Sequence, residues 1–277
     1  NVSTLFLSDV DFRLADIPIY SIYPEMVREM SDENLSESFK EFNLIESVPT
    51  SYKGEDIVLF RKGVCIGDSL TAGVFNRNLP TVGYETMPSF SYPAKLEQLT
   101  GVELTNLGVG GVTTEGRYDL YKNEDLSGYD FAIIQLGVND HAQGQAVWPV
   151  ADKDAMRSII TKLLSENTGM SVFVSTIIPA TSFGGREYIS QGIRDLIEEI
   201  NNPMVILLDM EEYGHTGESS AYNCGHLSAY GYARLAMDYK AYISYIISTN
   251  KALFRQVQFV WTNMSYSQSN SPTSTPN

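Results

Sequence analysis

Four short segments of the chain combine the residue types that acyl-transfer chemistry requires. They are Gly67-Asp68-Ser69-Leu70, Asn106-Leu107-Gly108-Val109-Gly110-Gly111-Val112-Thr113, Gly137-Val138-Asn139-Asp140 and Asn223-Cys224-Gly225-His226-Leu227-Ser228. A serine hydroxyl becomes a useful nucleophile when an adjacent base accepts its proton, and histidine is the natural base near neutral pH. Glycine permits close backbone approach to a substrate, and an asparagine amide donates hydrogen bonds without a change of protonation. The segments therefore predict a serine-dependent hydrolytic site.

The elements that must position these segments are alternating strands and helices, which begin at about residue 56. The predicted strands are Ile57–Ile66, Val102–Leu107, Phe131–Leu136, Ser171–Ile178 and Met204–Asp209. The predicted helices are Tyr92–Leu99, Asp152–Ser165, Arg186–Ile200 and Leu227–Ile247. This alternation predicts an α/β fold, a three-layer doubly wound (flavodoxin-like) five-stranded parallel sheet with right-handed crossovers. In such sheets ligands bind just beyond the carboxyl ends of the strands, where the four segments fall.

The four segments together resemble the SGNH (GDSL) hydrolase family, over about residues 56–248. That family contains esterases, lipases, and carbohydrate or peptidoglycan O-acetyl esterases. The resemblance implies that Ser69 is the nucleophile and His226 the general base. It also implies an oxyanion hole formed by the backbone amides of Ser69 and Gly111 and the side-chain amide of Asn139. Gly111 is chosen because the family's oxyanion glycine lies five residues after the asparagine that ends the second strand.

One position departs from the family pattern, which has Asp three residues before the catalytic histidine. Here that residue is Asn223, which can accept from the imidazole N–H but supplies no charge. In a serine protease the equivalent Asp-to-Asn change lowers turnover by about 10⁴-fold. Three explanations stay open: an engineered inactivation, a natural site with another group orienting His226, or lost catalysis with binding retained. We favour the natural, working or weakly working site, with Asp209 and Glu218 as candidate substitute acids.

Several of these residues also have plain structural interpretations. Asn139 could cap the following helix, and Asp68 and Asp140 are expected to brace their loops rather than act as acids. Gly108 and Gly110 are expected to serve only the turn.

The other two histidines are weaker candidates for the base. His215 also follows an acid by three residues, but a loop-like run rather than a helix start comes after it. His141 directly follows the third segment and is either a pocket residue or a surface histidine. We therefore favour His226 as the base.

The composition of the chain argues against some classes of binding partner. The chain has 277 residues, with 19 Lys and Arg against 34 Asp and Glu, for a formal net charge of −15. Such an acidic chain repels phosphates and is a poor candidate for nucleic acids or anionic membranes. Cys65 and Cys224 cannot build a disulfide framework and are expected to be inert thiols; no residue spacing implies a metal or another cofactor. No apolar run has membrane-spanning length and no signal peptide is recognisable.

Three regions are predicted along the chain. Residues 1–55 form an N-terminal elaboration or connector, residues 56–250 form the hydrolase domain, and residues 251–277 form a C-terminal strand (Ala252–Trp261) and a flexible tail. By analogy, the appended regions suit a modular secreted or phage-tail protein, which places the protein outside the cell or on a virion. The oligomeric state is not written in the sequence.

The predicted function is a serine-dependent carboxylic ester hydrolase that removes O-acetyl groups from a polysaccharide or cell-wall glycan through an acyl-serine intermediate. Several aromatic residues in predicted loops favour an acylated carbohydrate as partner, because planar rings stack on sugars. They are Tyr84, Phe90, Tyr92, Tyr118, Tyr121 and Trp148. The alternative is a catalytically impaired carbohydrate-binding (receptor-binding) module, because Asn223 replaces the usual Asp. A lipase is less favoured, because no contiguous apolar loop supplies a wide apolar mouth.

Overall fold

Strands and helices alternate through most of the described chain. The computed structural model describes residues 60–77, 83–141, 144–180, 183–217, 222–223, 225–250 and 253–254. The strands are β1 (Lys62–Gly67), β2 (Val74–Arg77), β3 (Gly83–Thr86), β4 (Glu103–Gly108), β5 (Phe131–Gln135), β6 (Ser171–Ser175), β7 (Val205–Leu208), β8 (Tyr222–Asn223) and β9 (His226–Leu227). The helices are α1 (Ser69–Ala72), α2 (Tyr92–Thr100), α3 (Thr114–Tyr121), α4 (Val150–Glu166), α5 (Glu187–Ile200), α6 (Met210–Tyr213) and α7 (Ala229–Thr249).

Five of these strands form one parallel sheet in the order β4-β1-β5-β6-β7. The order reverses at β1, whose neighbours on either side are β4 and β5, so the carboxyl end of β1 is the topological switch point. The predicted five-stranded, doubly wound sheet is confirmed. Every residue of β5 and of β6 is buried, as expected for strands that helices cover on both faces.

Helices pack on the sheet and on one another. Helix α2 packs against α7, and α4 packs against both α3 and α5. The longest helix, α7, buries side chains around most of its circumference. Aromatic rings fill part of the core: Phe60 stacks on Phe131 with ring centroids 4.7 Å apart, and both rings meet Phe173 edge-on. This packing fixes the sheet whose end carries the site.

The predicted and observed boundaries agree within a few residues for the sheet strands and the four predicted helices, except at the start of the first strand. That strand was predicted from Ile57 and begins at Lys62, and residues 57–59 lie outside the described residues. The strand predicted over Ser171–Ile178 ends at Ser175, because the neighbouring strand β7 ends at Leu208. The backbone N–H of Thr176 makes one more bond, to the carbonyl oxygen of Leu208. The predicted N-terminal elaboration lies outside the described residues, and so does nearly all of the predicted C-terminal strand and tail.

Two small antiparallel pairs were not predicted. Strands β2 and β3 follow α1 in the sequence and form an antiparallel hairpin outside the main sheet. Strand β8 pairs with β9 shortly before α7. Helix α3 was not predicted either; the side chain of Thr113 caps it by accepting the backbone N–H of Gly116 at 3.1 Å. The two antiparallel pairs contact each other through β2 and β9.

Candidate active site

Ser69 is the first residue of α1 and lies directly beyond the carboxyl end of β1. Two glycines let α1 rest on the strand ends. A Cβ atom at Gly67 would collide with the side chain of Thr71, and one at Gly108 would collide with the backbone of Ala72. Ser69 is itself only 8% exposed. Its hydroxyl therefore comes from a helix that is held tightly against the sheet.

The side chain of Asp68 caps this helix. Its carboxylate accepts the backbone N–H of Leu70 at 2.9 Å, as an N-cap residue does. The pKa of Asp68 is raised to about 7, first by burial and also by the nearby carboxylate of Asp140, against the lowering effect of the Leu70 hydrogen bond. The geometry agrees with the interpretation of Asp68 as a residue that braces its loop.

Asn139 and Asp140 follow β5 and are joined to the loop after β4. The Asn139 side chain donates from Nδ2 to the carbonyl oxygen of Val112 at 2.9 Å. The buried Asp140 carboxylate accepts from the backbone N–H of Thr114 at 2.8 Å, from its hydroxyl at 2.7 Å and from Trp148 Nε1 at 2.8 Å. Burial raises the pKa of Asp140 above its ordinary value. Asp140 thus braces the loop that presents Asn139.

The two glycines considered for the oxyanion hole, Gly108 and Gly111, differ in backbone hydrogen bonding and in conformation. The backbone N–H of Gly108 donates to Oδ1 of Asn106 at 2.9 Å, so this amide is committed to the turn. Gly111 has a φ of 75°, in the left-handed region that favours glycine, and it immediately precedes Val112, the acceptor for Asn139. Gly111 is exposed and does not belong to the described residues that line the cavity around Ser69.

His226 lies on β9, and its imidazole is half-buried. Its Nδ1 is 2.9 Å from Oδ1 of Asn76, a residue of β2. Because an amide oxygen only accepts, Nδ1–H must donate, and the lone pair of the neutral ring is then on Nε2. Burial lowers the pKa of His226 below its ordinary value. The edge of the Tyr84 ring also meets the imidazole, with the ring centroids 5.2 Å apart.

One cavity of about 220 Å³ brings three of the predicted site residues together. Ser69, Asn139 and His226 all line it. The other lining residues are Leu70, Tyr84, Val138, Phe183, Arg186 and Gly225. Arg186 is the cationic member of this set, and its Nε donates to the carbonyl oxygen of Val138 at 2.9 Å. In such a pocket a serine hydroxyl can attack a carbonyl carbon while the histidine accepts its proton, and amide donors can stabilise the negative charge that forms on the carbonyl oxygen.

The other residues considered beside His226 lie elsewhere or are only partly described. Asp209 is bound to Arg194 through two hydrogen bonds of 2.7 and 2.8 Å and also accepts from Thr176, so its carboxylate is already engaged. Glu218 lies outside the described residues. The backbone of Asn223 pairs with His226 in the β8–β9 ladder, while its side chain lies outside the description.

The remaining two histidines have other partners. The ring of His215 is 3.3 Å from the carboxylate of Asp238 on α7, measured from Nδ1. The ring of His141 lies 3.0 Å from the hydroxyl of Tyr188. Neither ring belongs to the described residues that line the cavity. Sequence spacing could not have found Asn76, because 150 residues separate it from His226.

The aromatic residues proposed as sugar contacts differ in how much of each side chain is exposed to solvent. Tyr92, Tyr121 and Trp148 are at most 3% exposed and belong to the core, so their predicted role as sugar platforms is wrong. Packing explains the difference: Tyr92 lies against Tyr239, and the Trp148 indole is held by Asp140. Two others, Phe90 and Tyr118, are partly buried.

Tyr84 is different, since 73% of it is exposed and it lines the cavity. It is therefore the aromatic residue of the predicted set that a bound sugar can reach at this site.

Cys65 is fully buried, and burial raises the pKa of its thiol to about 12, which makes it unreactive. Within the described ranges, His, Cys, Asp and Glu side chains form no group of three or more that could hold a metal ion. No helix in those ranges combines the length and apolar character needed to cross a membrane.

Comparison with known proteins places these features in context. The model of the GDSL-like lipase/acylhydrolase family matches residues 65–234, which contain all four motif segments. A search of curated proteins found no match.

Three solved structures illustrate the shared fold. A family two carbohydrate esterase from Clostridium thermocellum, in complex with cellohexaose, superposes with a TM-score of 0.54 at 15% identity, over 70% of this chain and 65% of that one. A lipase/acylhydrolase from Enterococcus faecalis gives 0.51 at 21% identity, over 68% and 96%. The M. smegmatis aryl esterase gives 0.52 at 18% identity, over 66% and 98%.

Proposed function

The chain belongs to the GDSL-like lipase/acylhydrolase family, and from this premise we propose that it is a serine-dependent carboxylic ester hydrolase acting on an O-acetylated polysaccharide or cell-wall glycan. The observation that carries the proposal is the meeting of Ser69, Asn139 and His226 around one cavity, with His226 held as the Nδ1–H tautomer by Asn76. This arrangement leaves Nε2 as the proton acceptor.

In the proposed reaction, the Ser69 hydroxyl attacks the ester carbonyl carbon while Nε2 of His226 takes the hydroxyl proton. The carbonyl oxygen becomes an oxyanion, which accepts hydrogen bonds from the backbone N–H groups of Ser69 and Gly111 and from Asn139 Nδ2. The tetrahedral centre collapses, the sugar oxygen leaves with the proton from His226, and an acyl-serine remains. Water then gives a proton to His226 as its oxygen attacks the acyl-serine carbonyl carbon. The bond from that carbon to the Ser69 oxygen breaks, the Ser69 oxygen takes the proton back from His226, and acetic acid is released.

The group on Nδ1 sets the strength of this base. An asparagine oxygen holds the tautomer, but it does not neutralise the imidazolium that forms in the transition state. We therefore expect a slower enzyme than one with a carboxylate at that place. Burial lowers the pKa of His226. The ring is therefore neutral, and able to act as a base, at a lower pH than an ordinary histidine.

Two features support a small acyl group on a carbohydrate. A cavity of about 220 Å³ suits an acetyl group better than a long acyl chain. The exposed ring of Tyr84 stands beside His226, where a planar aromatic surface can stack on the sugar that carries the ester. The cellohexaose complex of the Clostridium thermocellum carbohydrate esterase supports a sugar ligand on this fold.

The test is acetate release from p-nitrophenyl acetate and from acetylated xylan by the wild type and by Ser69→Ala. We expect Ser69→Ala to lower kcat by about 10⁴-fold or more on both substrates, as removal of a serine nucleophile does. The matched control is Ser127→Ala, an exposed serine on a loop, which should retain wild-type rates. A wild type without Ser69-dependent hydrolysis of either substrate overturns the proposal and favours the binding module.

Tyr84→Ala separates the carbohydrate part of the proposal from the chemistry. We expect KM for acetylated xylan to rise about 10-fold, with a smaller change in KM for p-nitrophenyl acetate, which presents no sugar ring to stack. Equal changes in KM for both substrates would contradict the role of Tyr84 as a sugar platform.

A further inference from the structure

We propose that Asn76, supplied by the β2–β3 hairpin, is the positioning residue for His226, in the role that the sequence pattern gives to position 223. This inference rests on the proposed function for its catalytic meaning. Its geometric core, the orientation of the imidazole, can be measured without any activity.

The first argument is the hydrogen bond itself. Oδ1 of Asn76 lies 2.9 Å from Nδ1 of His226, within the normal range for an N–H···O bond. Both side chains are only half-exposed, so water competes less for this bond than on an open surface. The acceptor is thus the kind of group that a hydrolase histidine needs on Nδ1, although it comes from a different part of the chain.

The second argument is the register of the hairpin. Asn76 pairs directly with Tyr84 across β2 and β3, so both side chains project from the same face. Both reach the same imidazole: Asn76 through its oxygen, and Tyr84 through a ring inclined at 75° to the His226 ring. One cross-strand pair therefore contacts the base twice, which fixes both its tautomer and its tilt.

The third argument is the anchoring of the strand that carries Asn76. On the opposite face of β2, the Phe75 ring packs against Tyr232 and Phe90 at centroid distances of 5.0 and 6.0 Å. The Tyr232 hydroxyl donates to the carbonyl oxygen of Val74 at 2.6 Å. Asn76 is thus tied through its chain neighbours to the long helix α7, so its side chain is presented in a fixed place.

The surroundings of Asn76 fit this role. Its Nδ2 lies 4.0 Å from the place that a Cβ atom would take at Gly225, in the β8–β9 turn, where the φ of 106° also favours glycine. The titratable side chains that share the cavity with His226 are the Tyr84 phenol and the Arg186 guanidinium. The described residues that line this cavity include no carboxylate.

The experiment compares Asn76→Ala, Asn76→Asp and Asn223→Ala, with Glu85→Ala as the control from the opposite face of β3. Two quantities are measured: kcat and KM with p-nitrophenyl acetate, and the tautomer and pKa of His226 by ¹⁵N-correlated NMR. Thermal unfolding of each variant confirms that it is folded. Asn76→Asp, which preserves the shape of the side chain, keeps the test decisive if the alanine variant does not fold.

We expect Asn76→Ala to lower kcat by about 10²-fold or more with KM changed less than about threefold, and to abolish the preference for the Nδ1–H tautomer. Asn76→Asp should raise the pKa of His226 by about one unit, because a carboxylate stabilises the imidazolium, and should raise kcat. Glu85→Ala should leave kcat and the His226 tautomer at their wild-type values.

An unchanged tautomer and pKa of His226 in both Asn76 variants would overturn the inference. So would a tautomer that responds to Asn223→Ala more than to Asn76→Ala. If the tautomer depends on Asn76 but the wild type shows no Ser69-dependent hydrolysis, the orientation by Asn76 stands and the proposed function fails. The two failures are therefore distinguishable.

Discussion

The two halves of the candidate site are built from different parts of the molecule. Ser69 and Asn139 follow β1 and β5, neighbouring strands at the centre of the parallel sheet. His226 and its partner Asn76 lie on the small antiparallel pairs β8–β9 and β2–β3, which are separate from that sheet. The half that carries the nucleophile is thus part of the core, while the half that carries the base is attached to it.

The halves also differ in how their side chains are fixed. The loop that presents Asn139 is held by a buried carboxylate with three hydrogen bonds. Among the described residues, the imidazole of His226 has one hydrogen bond, to Asn76, and one aromatic contact, with Tyr84. Preorganised donors in a buried setting give the largest electrostatic stabilisation, and they cannot move without disturbing the fold. The comparison teaches that substitutions near the nucleophile should affect stability and activity together, while those near the base should affect activity first.

The largest expected effect is on the nucleophile side, in Asp140→Ala. Removal of the carboxylate leaves the Thr114 and Trp148 donors buried without an acceptor, which should lower the free energy of unfolding by about 3–5 kcal/mol. Asn139 then loses its fixed place, and kcat should fall by about 10²-fold. Urea denaturation and p-nitrophenyl acetate hydrolysis measure the two effects. A variant that loses activity while keeping wild-type stability would contradict the coupling expected on this side.

Asp68→Asn tests the same half through pH. The pKa of Asp68 is raised to about 7 in the folded protein, so the folded state binds a proton that the unfolded chain releases near pH 4. The free energy of unfolding that this group contributes is therefore largest below pH 4 and is lost as the pH rises to about 7. Asparagine keeps an acceptor for Leu70 without a charge, and at pH 8 it should raise the free energy of unfolding by about 2 kcal/mol. Thermal unfolding at pH 5 and pH 8 checks this: an equal shift at both values speaks against a titrating Asp68.

On the side of the base, we expect pH to change the rate through His226 and to have a smaller effect than on the nucleophile side. Because burial lowers the pKa of His226, the acid limb of kcat/KM should have its midpoint below 6.5. The profile is measured with p-nitrophenyl acetate between pH 4.5 and 8, in the free enzyme at low substrate concentration. A midpoint above 6.5 would mean that a negative charge, rather than a neutral amide, faces Nδ1.

The smallest expected effect comes from Tyr232→Phe, which loosens the anchor of β2. Loss of the hydroxyl leaves the Val74 carbonyl oxygen without this donor and should lower the free energy of unfolding by about 1 kcal/mol. Since Asn76 lies two residues further along β2, kcat should fall severalfold. Chemical denaturation and steady-state kinetics give both numbers. A change in stability with no change in kcat would show that the position of Asn76 does not depend on this anchor.

Local sequence patterns were enough to predict the sheet and the part of the site that follows it. The runs at β5, β6 and β7 are short and nearly continuous in apolar residues, which is typical of strands covered on both faces. Polar motifs follow strands where ligands bind in such sheets. Ser69 and Asn139 were predicted from motifs that follow β1 and β5, and His226 from the motif that precedes the last helix. The structure brings the three to one cavity.

The rest could not be predicted, because it depends on contacts between distant segments. The β2–β3 hairpin consists of two four-residue strands, too short for a clear periodic pattern. Asn76 meets His226 only because that hairpin folds back onto β9. Asp209 was considered as a substitute acid, yet Arg194 on α5 engages it, and that pairing follows from the packing of a helix and not from any local motif.

The β2–β3 hairpin starts and ends at almost the same point, since the backbone N–H of Met87 donates to the carbonyl oxygen of Gly73 at 2.8 Å. Because the entropic cost of closing a loop grows slowly with its length, the connection between β2 and β3 can be lengthened at a small cost. The elements on either side of the hairpin then keep their positions. Exchanging hairpin residues other than Asn76 and Tyr84 would then be a direct route to new ester selectivity, with the nucleophile and both contacts of His226 retained.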